Sequence, residues 1–200
     1  MITLYHAPMS RSVRVRWLLE ELAIPYQLEL RKLGQLKEPD YLAVHPMGKV
    51  PAIRDGDLVL FESGAIVQYV LETYGGGRLE PKRGSPERPL FLQWLHFAEA
   101  TVTPPLGDLV QHTLLRPEAE RIAALVPDAT KRAGNALALV DRALAGRSWL
   151  LSDFSAADVM LGYSVALASF VKLVSDATPN VKAYLARCRE RPAFQKATAS

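Results

Sequence analysis

The chain has 200 residues, 49% of them hydrophobic, and 24 basic against 21 acidic residues give a formal net charge of +3. That length and apolar content suffice for one large or two small domains, and the nearly balanced, scattered charges do not favour a nucleic-acid partner. The single cysteine, Cys188, excludes an internal disulfide, a cysteine-ligated metal cluster and a CxxC redox pair.

The sequence shows no pattern typical of metal binding, membrane spanning or export. The four histidines lack metal-ligand spacing, and no apolar run approaches the ~18 residues of a membrane span. The first residues show neither the basic region nor the apolar stretch of a signal peptide. We therefore expect a cytoplasmic protein with no metal, membrane or nucleic-acid partner.

The first 76 residues alternate between strand and helix patterns. Apolar strand patterns occur at 2–5, 26–30, 52–54 and 58–61, and helical patterns follow Ser10 and start at Ser63. Asp55 and Gly56 form a hairpin signal between the last two strands. The first β-α-β unit needs a parallel strand pair and the hairpin adds an antiparallel one. The order β-α-β-α-β-β-α thus predicts a mixed four-stranded sheet covered by helices.

The second half of the chain carries helical patterns alone. Glycines at 75–77 and prolines at 81 and 86 mark a composition break, so we expect domains at 1–76 and 87–200 with a linker at 77–86. Pro104 and Pro105 should interrupt the first long helix, and a second segment runs from Pro117 to Leu144. Ser155 and Asp158 have capping-box spacing, and Pro179 and Pro192 start two short helices. This pattern predicts an all-α bundle.

Two motifs in the first half have chemical significance. Pro51 stands where a strand should begin; if its peptide bond is cis, the backbone N–H and C=O of Val50 turn outward and can pair with an extended ligand. Glu62 and Ser63 stand at the start of a helix, where free N–H groups and the helix dipole favour a bound carboxylate. Together the motifs indicate a site for a small zwitterionic peptide.

With these motifs the chain resembles the cytosolic glutathione transferases, bacterial-type, with a serine-type active site. The resemblance covers essentially the whole chain and rests on four segments, at 4–10, 48–51, 62–66 and 155–158. It implies a thioredoxin-like N-terminal domain, an all-helical C-terminal domain and a homodimer. It also implies reduced glutathione as co-substrate, with no bound cofactor.

The resemblance assigns glutathione-binding roles to several residues. Val50 pairs with the cysteinyl part through its backbone, next to a cis Pro51. Ser63 binds the γ-glutamyl carboxylate, and Glu62 helps to hold the ammonium group. Lys37 and Lys49 correspond to positions near the glycyl carboxylate.

Ser10 is the expected thiolate-stabilising residue. A thiol with a pKa of about 8.5 is only slightly ionised at pH 7, and lowering that pKa by about 2 units requires roughly 2.7 kcal/mol. A hydrogen bond to an anion supplies about 1.5–3 kcal/mol, and a helix N-terminus adds to it. Tyr5, at the end of the first strand, and Ser12, inside the helix, are the alternatives.

The predicted reaction joins the thiolate to a small, hydrophobic electrophile. We expect this second substrate between the domains, where Phe97, Val102 and Leu106 could form an apolar wall, although helical spacing also fits plain core positions. One alternative is a non-catalytic binding or interaction protein of the same fold. The other is a glutathione-dependent isomerase or dehalogenase.

Overall fold

The computed structural model describes residues 1–199, the side chain of Leu33 excepted, and divides into two compact units. The first contains the residues up to Glu80 together with those from Arg189 onward. The second runs from Pro81 to Cys188. The change of unit falls inside the predicted linker at 77–86.

The first unit contains a four-stranded sheet, and the predicted mixed topology is confirmed. Its strands are β1 (Ile2–His6), β2 (Tyr26–Leu30), β3 (Ala52–Asp55) and β4 (Leu58–Phe61). They lie in the order β2-β1-β3-β4; β1 and β2 are parallel, and the other two pairs are antiparallel. The four strands lie within two residues of their predicted bounds because each is a short apolar run between turn residues.

The helices continue the chain order. They are α1 (Ser12–Glu21), α2 (Pro39–Leu42), α3 (Ser63–Tyr74), α4 (Arg88–Phe97), α5 (Thr103–Val110), α6 (Leu125–Ala143), α7 (Ala156–Phe170), α8 (Pro179–Glu190) and α9 (Pro192–Thr198). Short 3₁₀ segments span Leu33–Lys37 and Glu118–Glu120, and π-helical segments span Ala98–Val102 and Gln111–Leu115. Among the described residues, no helix is long and apolar enough to cross a membrane.

The C-terminal segment departs from the predicted division of the chain. We expected everything after residue 87 in the helical domain, whereas the residues from Arg189 onward group with the sheet. The ring of Phe194 meets that of Trp17 edge-on at 4.7 Å, and Arg191 donates to both carboxylate oxygens of Glu21 at 2.5 and 2.7 Å. These long-range contacts hold α9 against α1. Ser200, the last residue of that predicted domain, lies outside the described residues.

The helical unit also differs from prediction in two segments. Pro104 and Pro105 lie in the first turn of α5, directly after a π-helical segment, so the interruption precedes them. The segment from Pro117 does not form one long helix: a 3₁₀ turn follows the proline, and α6 begins only at Leu125. The intervening residues are exposed, so no buried face stabilises a helix there.

The predicted capping box at the start of α7 is confirmed. Asp158 is fully buried, and its Oδ2 accepts hydrogen bonds from the Ser155 N–H at 2.9 Å and the Ser155 hydroxyl at 3.2 Å. Its Oδ1 accepts from the Leu150 N–H at 3.0 Å and the Tyr184 hydroxyl at 3.3 Å. One carboxylate therefore joins the start of α7 to the preceding loop and to α8.

Candidate functional site

Three segments meet at one end of the sheet. Tyr5 of β1 lies opposite Ala52 of β3, and Ala52 lies opposite Phe61 of β4. The residues that follow β1, precede β3 and follow β4 therefore come together. These are the segments that contain Ser10, the Val50–Pro51 bond and the Glu62–Ser63 pair.

Ser10 lies in the turn between β1 and α1 and is half-buried. Helix α1 begins at Ser12 with Arg11 at its cap position, so Ser10 lies one residue ahead of the helix cap. Ser10 nevertheless holds the turn, since its carbonyl accepts from the Val13 N–H at 3.0 Å and its Oγ from the Ser12 N–H at 3.2 Å. Its side chain thus lies just ahead of the positive end of α1.

The Ser10 hydroxyl belongs to a short hydrogen-bond network. Its Oγ donates to the Ala7 carbonyl at 2.7 Å and lies 2.6 Å from Ser12 Oγ. Ser12 Oγ lies in turn 2.7 Å from His6 Nδ1. Burial, followed by the positive charge of Arg16, lowers the pKa of His6 to about 4, so the ring is neutral at pH 7.

The Val50–Pro51 peptide bond is cis, as the resemblance implied. Pro51 is buried, while Val50 is partly exposed and its backbone makes no hydrogen bond within residues 1–199. The preceding loop is held from two sides, because the buried Tyr41 donates to the Lys49 carbonyl at 2.6 Å and Lys37 Nζ to the Met47 carbonyl at 2.8 Å. The Lys37 and Lys49 side chains are exposed.

Gly48 allows this loop to pass close to its neighbour. Its φ is +54°, and a Cβ atom at this position would lie 2.1 Å from the Leu36 carbonyl oxygen. Only glycine adopts this conformation without a clash here. The glycine of the 48–51 motif therefore has a backbone role, next to the residues that could contact a ligand.

Glu62 and Ser63 begin α3. Glu62 is exposed and has a φ of +74°, which is uncommon for a residue other than glycine; such backbone strain concentrates at functional sites. Ser63 is 3% exposed, and its Oγ accepts a hydrogen bond at 3.1 Å from Nη1 of Arg14, which is fully buried. A guanidinium group thus lies beneath the N-terminus of α3, where its charge favours an anion.

Three further residues contribute to the site beyond those that the sequence predicted. Arg14 was assigned no site role, because its burial depends on the distant Ser63 to which it donates a hydrogen bond. His6 was dismissed for metal binding, and its position on the same face of β1 as Leu4 was the available signal. Tyr41 had no local signal, since its contact with Lys49 depends on the loop path.

The other predicted site residues lie in a buried cluster of the first unit or in the helical unit. Tyr5 is 8% exposed and packs in a cluster with Leu36, Tyr41, Val44 and Ala52. Because side chains alternate along a strand, Tyr5 points to the opposite face of the sheet from His6 and its serine partner. In the helical unit, Val102 and Leu106 are fully buried and Phe97 is half-buried beside an open groove. Among the described residues, no group of three or more His, Cys, Asp or Glu side chains could hold a metal ion.

Family models and related sequences both match this chain to glutathione S-transferases. Residues 1–72 match the model of the glutathione S-transferase N-terminal domain, and residues 117–187 match that of the C-terminal domain. Glutathione S-transferase GstB of Escherichia coli is 32% identical over 206 residues, covering 98% of this chain and 97% of its own length. Glutathione S-transferase 3 of Zea mays is 33% identical over 210 residues, covering 100% of this chain and 94% of its own.

Solved structures show the same fold. A glutathione transferase family member from Pseudomonas fluorescens, with two glutathione molecules bound, superposes with a TM-score of 0.88 at 28% identity, covering 98% of this chain and 92% of its own. A glutathione transferase from Methylococcus capsulatus gives a TM-score of 0.88 at 29% identity, covering 99% and 97%. The first unit of this chain is the thioredoxin-like part of that fold, and the helical unit is the other part.

Proposed function

Because this chain belongs to the glutathione S-transferase family, we propose that it binds reduced glutathione beside β1, β3 and β4 and stabilises the thiolate with Ser10. The main support is the alignment of Tyr5, Ala52 and Phe61 across the sheet. It brings a hydroxyl, an unpaired backbone segment and a helix N-terminus to the same end of the sheet. Thiolate, cysteinyl backbone and α-carboxylate are the groups of glutathione that need such partners.

The γ-glutamyl end binds at the start of α3. Arg14 can only donate, so Ser63 Oγ accepts its hydrogen bond, and the guanidinium charge adds to the positive potential at this helix N-terminus. The bound carboxylate accepts hydrogen bonds from the Ser63 hydroxyl and from N–H groups of the first turn. The exposed Glu62 carboxylate is placed next to it in sequence to hold the ammonium group.

The cysteinyl and glycyl parts bind along the segment before β3. The unpaired N–H and C=O of Val50, next to Pro51, supply backbone pairing for the cysteinyl residue. Lys37 and Lys49 have exposed ammonium groups, which offer positive charge to the glycyl carboxylate. The contacts of Tyr41 and Lys37 with the loop fix its path.

In the proposed reaction the thiolate sulfur attacks an electrophilic carbon. A C–S bond forms while a leaving group departs with its electron pair, or, in a conjugate addition, while a proton is taken up at the neighbouring carbon. Ser10 donates its hydrogen bond to the sulfur before attack, and the positive end of α1 stabilises the same charge. For the small hydrophobic electrophile we propose the half-buried Phe97 as an apolar contact, with the fully buried Val102 and Leu106 supporting it from the core of the helical unit.

We further propose that the protein acts as a homodimer, as the family resemblance implies. The exposed large apolar side chains of the first unit include Met47 at 60% and Phe61 at 41% exposure. The Phe61 ring packs at 4.8 Å against the ring of the buried His45, which supports it from the protein side. Exposed apolar surface of this kind is characteristic of interaction sites.

The Ser63→Ala variant should bind glutathione about tenfold more weakly, because a hydrogen bond to a bound carboxylate contributes about 1.5–3 kcal/mol. Isothermal titration calorimetry with glutathione and with an analogue lacking the γ-glutamyl α-carboxylate measures this directly. The wild-type protein should prefer glutathione strongly, and Ser63→Ala should lose most of that preference.

The exposed Ser148 provides a matched control, since Ser148→Ala removes a hydroxyl from the helical unit. This control should bind both peptides as the wild-type protein does. If Ser63→Ala retains normal affinity and normal preference for glutathione, Ser63 does not hold the carboxylate.

A further inference from the structure

We propose that His6 and Ser12 are positioning residues that orient the Ser10 hydroxyl toward the glutathione sulfur, an inference that rests on the proposed function. His6 is a buried, titratable side chain with 1% exposure, and the reaction described above does not use it. It contacts Ser12 Oγ at 2.7 Å, and Ser12 Oγ contacts Ser10 Oγ at 2.6 Å. The three side chains form a continuous chain from the protein interior to the half-buried Ser10.

Counting protons assigns the direction of these bonds. The contacts Ser10–Ala7 carbonyl, Ser10–Ser12 and Ser12–His6 measure 2.7, 2.6 and 2.7 Å, and each needs one proton between its two atoms. The Ala7 carbonyl has no proton to give, and the two hydroxyls have one each. The third proton must come from His6, so its Nδ1 carries hydrogen and donates to Ser12.

The remaining contacts agree with this assignment. Ser12 Oγ accepts from His6 and from the Ala7 N–H at 3.2 Å, and it donates to Ser10. Ser10 Oγ accepts from the Ser12 hydroxyl and the Ser12 N–H and donates to the Ala7 carbonyl. Each hydroxyl then uses one proton and two lone pairs. A 3.2 Å approach of Ser12 Oγ to the Ala7 carbonyl is the longer, competing alternative for the Ser12 proton.

The ionisation state of the ring fits the same scheme. Burial, with the charge of Arg16 as a second cause, lowers the pKa of His6 to about 4. A neutral imidazole carries one N–H, and the proton count places it on Nδ1. The ring therefore donates one hydrogen bond throughout the pH range in which a glutathione thiol would ionise.

The consequence for Ser10 is a hydroxyl that can only donate to a ligand. Both of its lone pairs are occupied by Ser12, so its single proton is the group left to interact with sulfur. When the thiolate binds, this proton turns from the Ala7 carbonyl to the sulfur, and the Ala7 carbonyl retains the Ser10 N–H at 3.3 Å. Donors that point at an oxygen polarise its O–H bond, which strengthens the bond to the thiolate. Ser12 has 0% exposure, so it acts through Ser10 and not on the substrate.

Nitrogen-15 NMR of the imidazole of His6, in the glutathione-free wild-type protein at pH 7, tests the tautomer directly. We expect Nδ1 to be protonated and Nε2 to be unprotonated. The opposite tautomer would make His6 a hydrogen-bond acceptor and contradict the proposed positioning role of His6 and Ser12. This measurement needs neither glutathione nor turnover, so its result does not depend on the proposed function.

Two His6 variants test the effect on the sulfur. His6→Leu removes the donor, and His6→Asn keeps a side-chain N–H close to the Nδ1 position. We expect the pKa of the bound glutathione thiol to rise by about 0.5–1 unit in His6→Leu and kcat to fall several-fold, with KM within twofold. His6→Asn should restore most of both values, which a purely structural role of the ring would not predict.

These measurements distinguish the proposed glutathione function from the positioning role of His6 and Ser12. A wild-type protein whose bound thiol has an ordinary pKa contradicts the proposed function, whatever the His6 tautomer. If the bound thiol has a lowered pKa in the wild-type protein and an equally low pKa in folded His6→Leu, the positioning role of His6 is contradicted and the proposed function is not. Failure of folded His6→Asn to recover the shift also contradicts the positioning role.

Discussion

The Ser10→Ala variant should turn over at least tenfold more slowly than the wild-type protein near pH 7, with glutathione affinity within a few-fold. A hydrogen bond to an anion is worth about 1.5–3 kcal/mol, which corresponds to roughly ten- to 150-fold in rate when it stabilises the reacting thiolate. The γ-glutamyl and glycyl contacts lie elsewhere, so binding should change little. Steady-state kinetics with an activated aryl halide, at saturating glutathione, measure the loss.

Tyr5→Phe is the matched control for this experiment. Tyr5 lies in the cluster on the opposite face of the sheet from His6, so removing its hydroxyl should change turnover by less than about threefold. Unchanged turnover in Ser10→Ala with a large loss in Tyr5→Phe would transfer the activating role to Tyr5. Unchanged turnover in both variants would leave Ser12 as the remaining predicted hydroxyl. Its 0% exposure argues against direct contact with the thiol.

The Asp158→Ala variant should lose at least about 3 kcal/mol of unfolding free energy. Burial raises the pKa of the Asp158 carboxyl to about 6, so at pH 8 it is ionised and can accept all of its hydrogen bonds. Alanine leaves the N–H groups of Ser155 and Leu150 without this acceptor, and a buried unsatisfied donor costs about 1–3 kcal/mol. The hydroxyl groups of Ser155 and Tyr184 lose the same acceptor, which adds to this cost.

Urea denaturation at pH 8, followed by circular dichroism, measures this loss. Asp153→Ala removes an exposed carboxylate five residues earlier and should stay within about 0.5 kcal/mol of the wild-type protein. If Asp158→Ala is as stable as that control, the capping box does not stabilise the helical unit.

Much of the fold was predictable because its signals are local. The strand at 26–30 was predicted at its observed bounds, since alternation and the flanking Pro25 define it without reference to the rest of the chain. Pro179 and Pro192 begin α8 and α9 as expected, because proline is tolerated at the start of a helix and not in its interior. The parallel pairing of β1 with β2 followed from the β-α-β unit, and the antiparallel pairing of β3 with β4 followed from the Asp55–Gly56 hairpin.

The features that were missed depend on distant partners. The packing of α9 on α1 depends on a contact between Trp17 and Phe194, which lie near opposite ends of the sequence. No local sequence pattern predicts that contact. The burial of Arg14 becomes intelligible only when Ser63 is seen within hydrogen-bond distance. The pairing of His6 with Ser12 depends on how the turn folds, so the sequence could name Ser10 as a candidate but not its hydrogen-bond partners.

The most direct test of thiolate stabilisation is a pH titration of the glutathione complex between about pH 5 and 9, followed by the ultraviolet absorbance of the bound thiolate. The proposed function predicts ionisation about 2 pH units below the ordinary thiol pKa of about 8.5, because Ser10 and the start of α1 stabilise the anion. Glutathione that binds but ionises near pH 8.5, or does not bind at all, would contradict it.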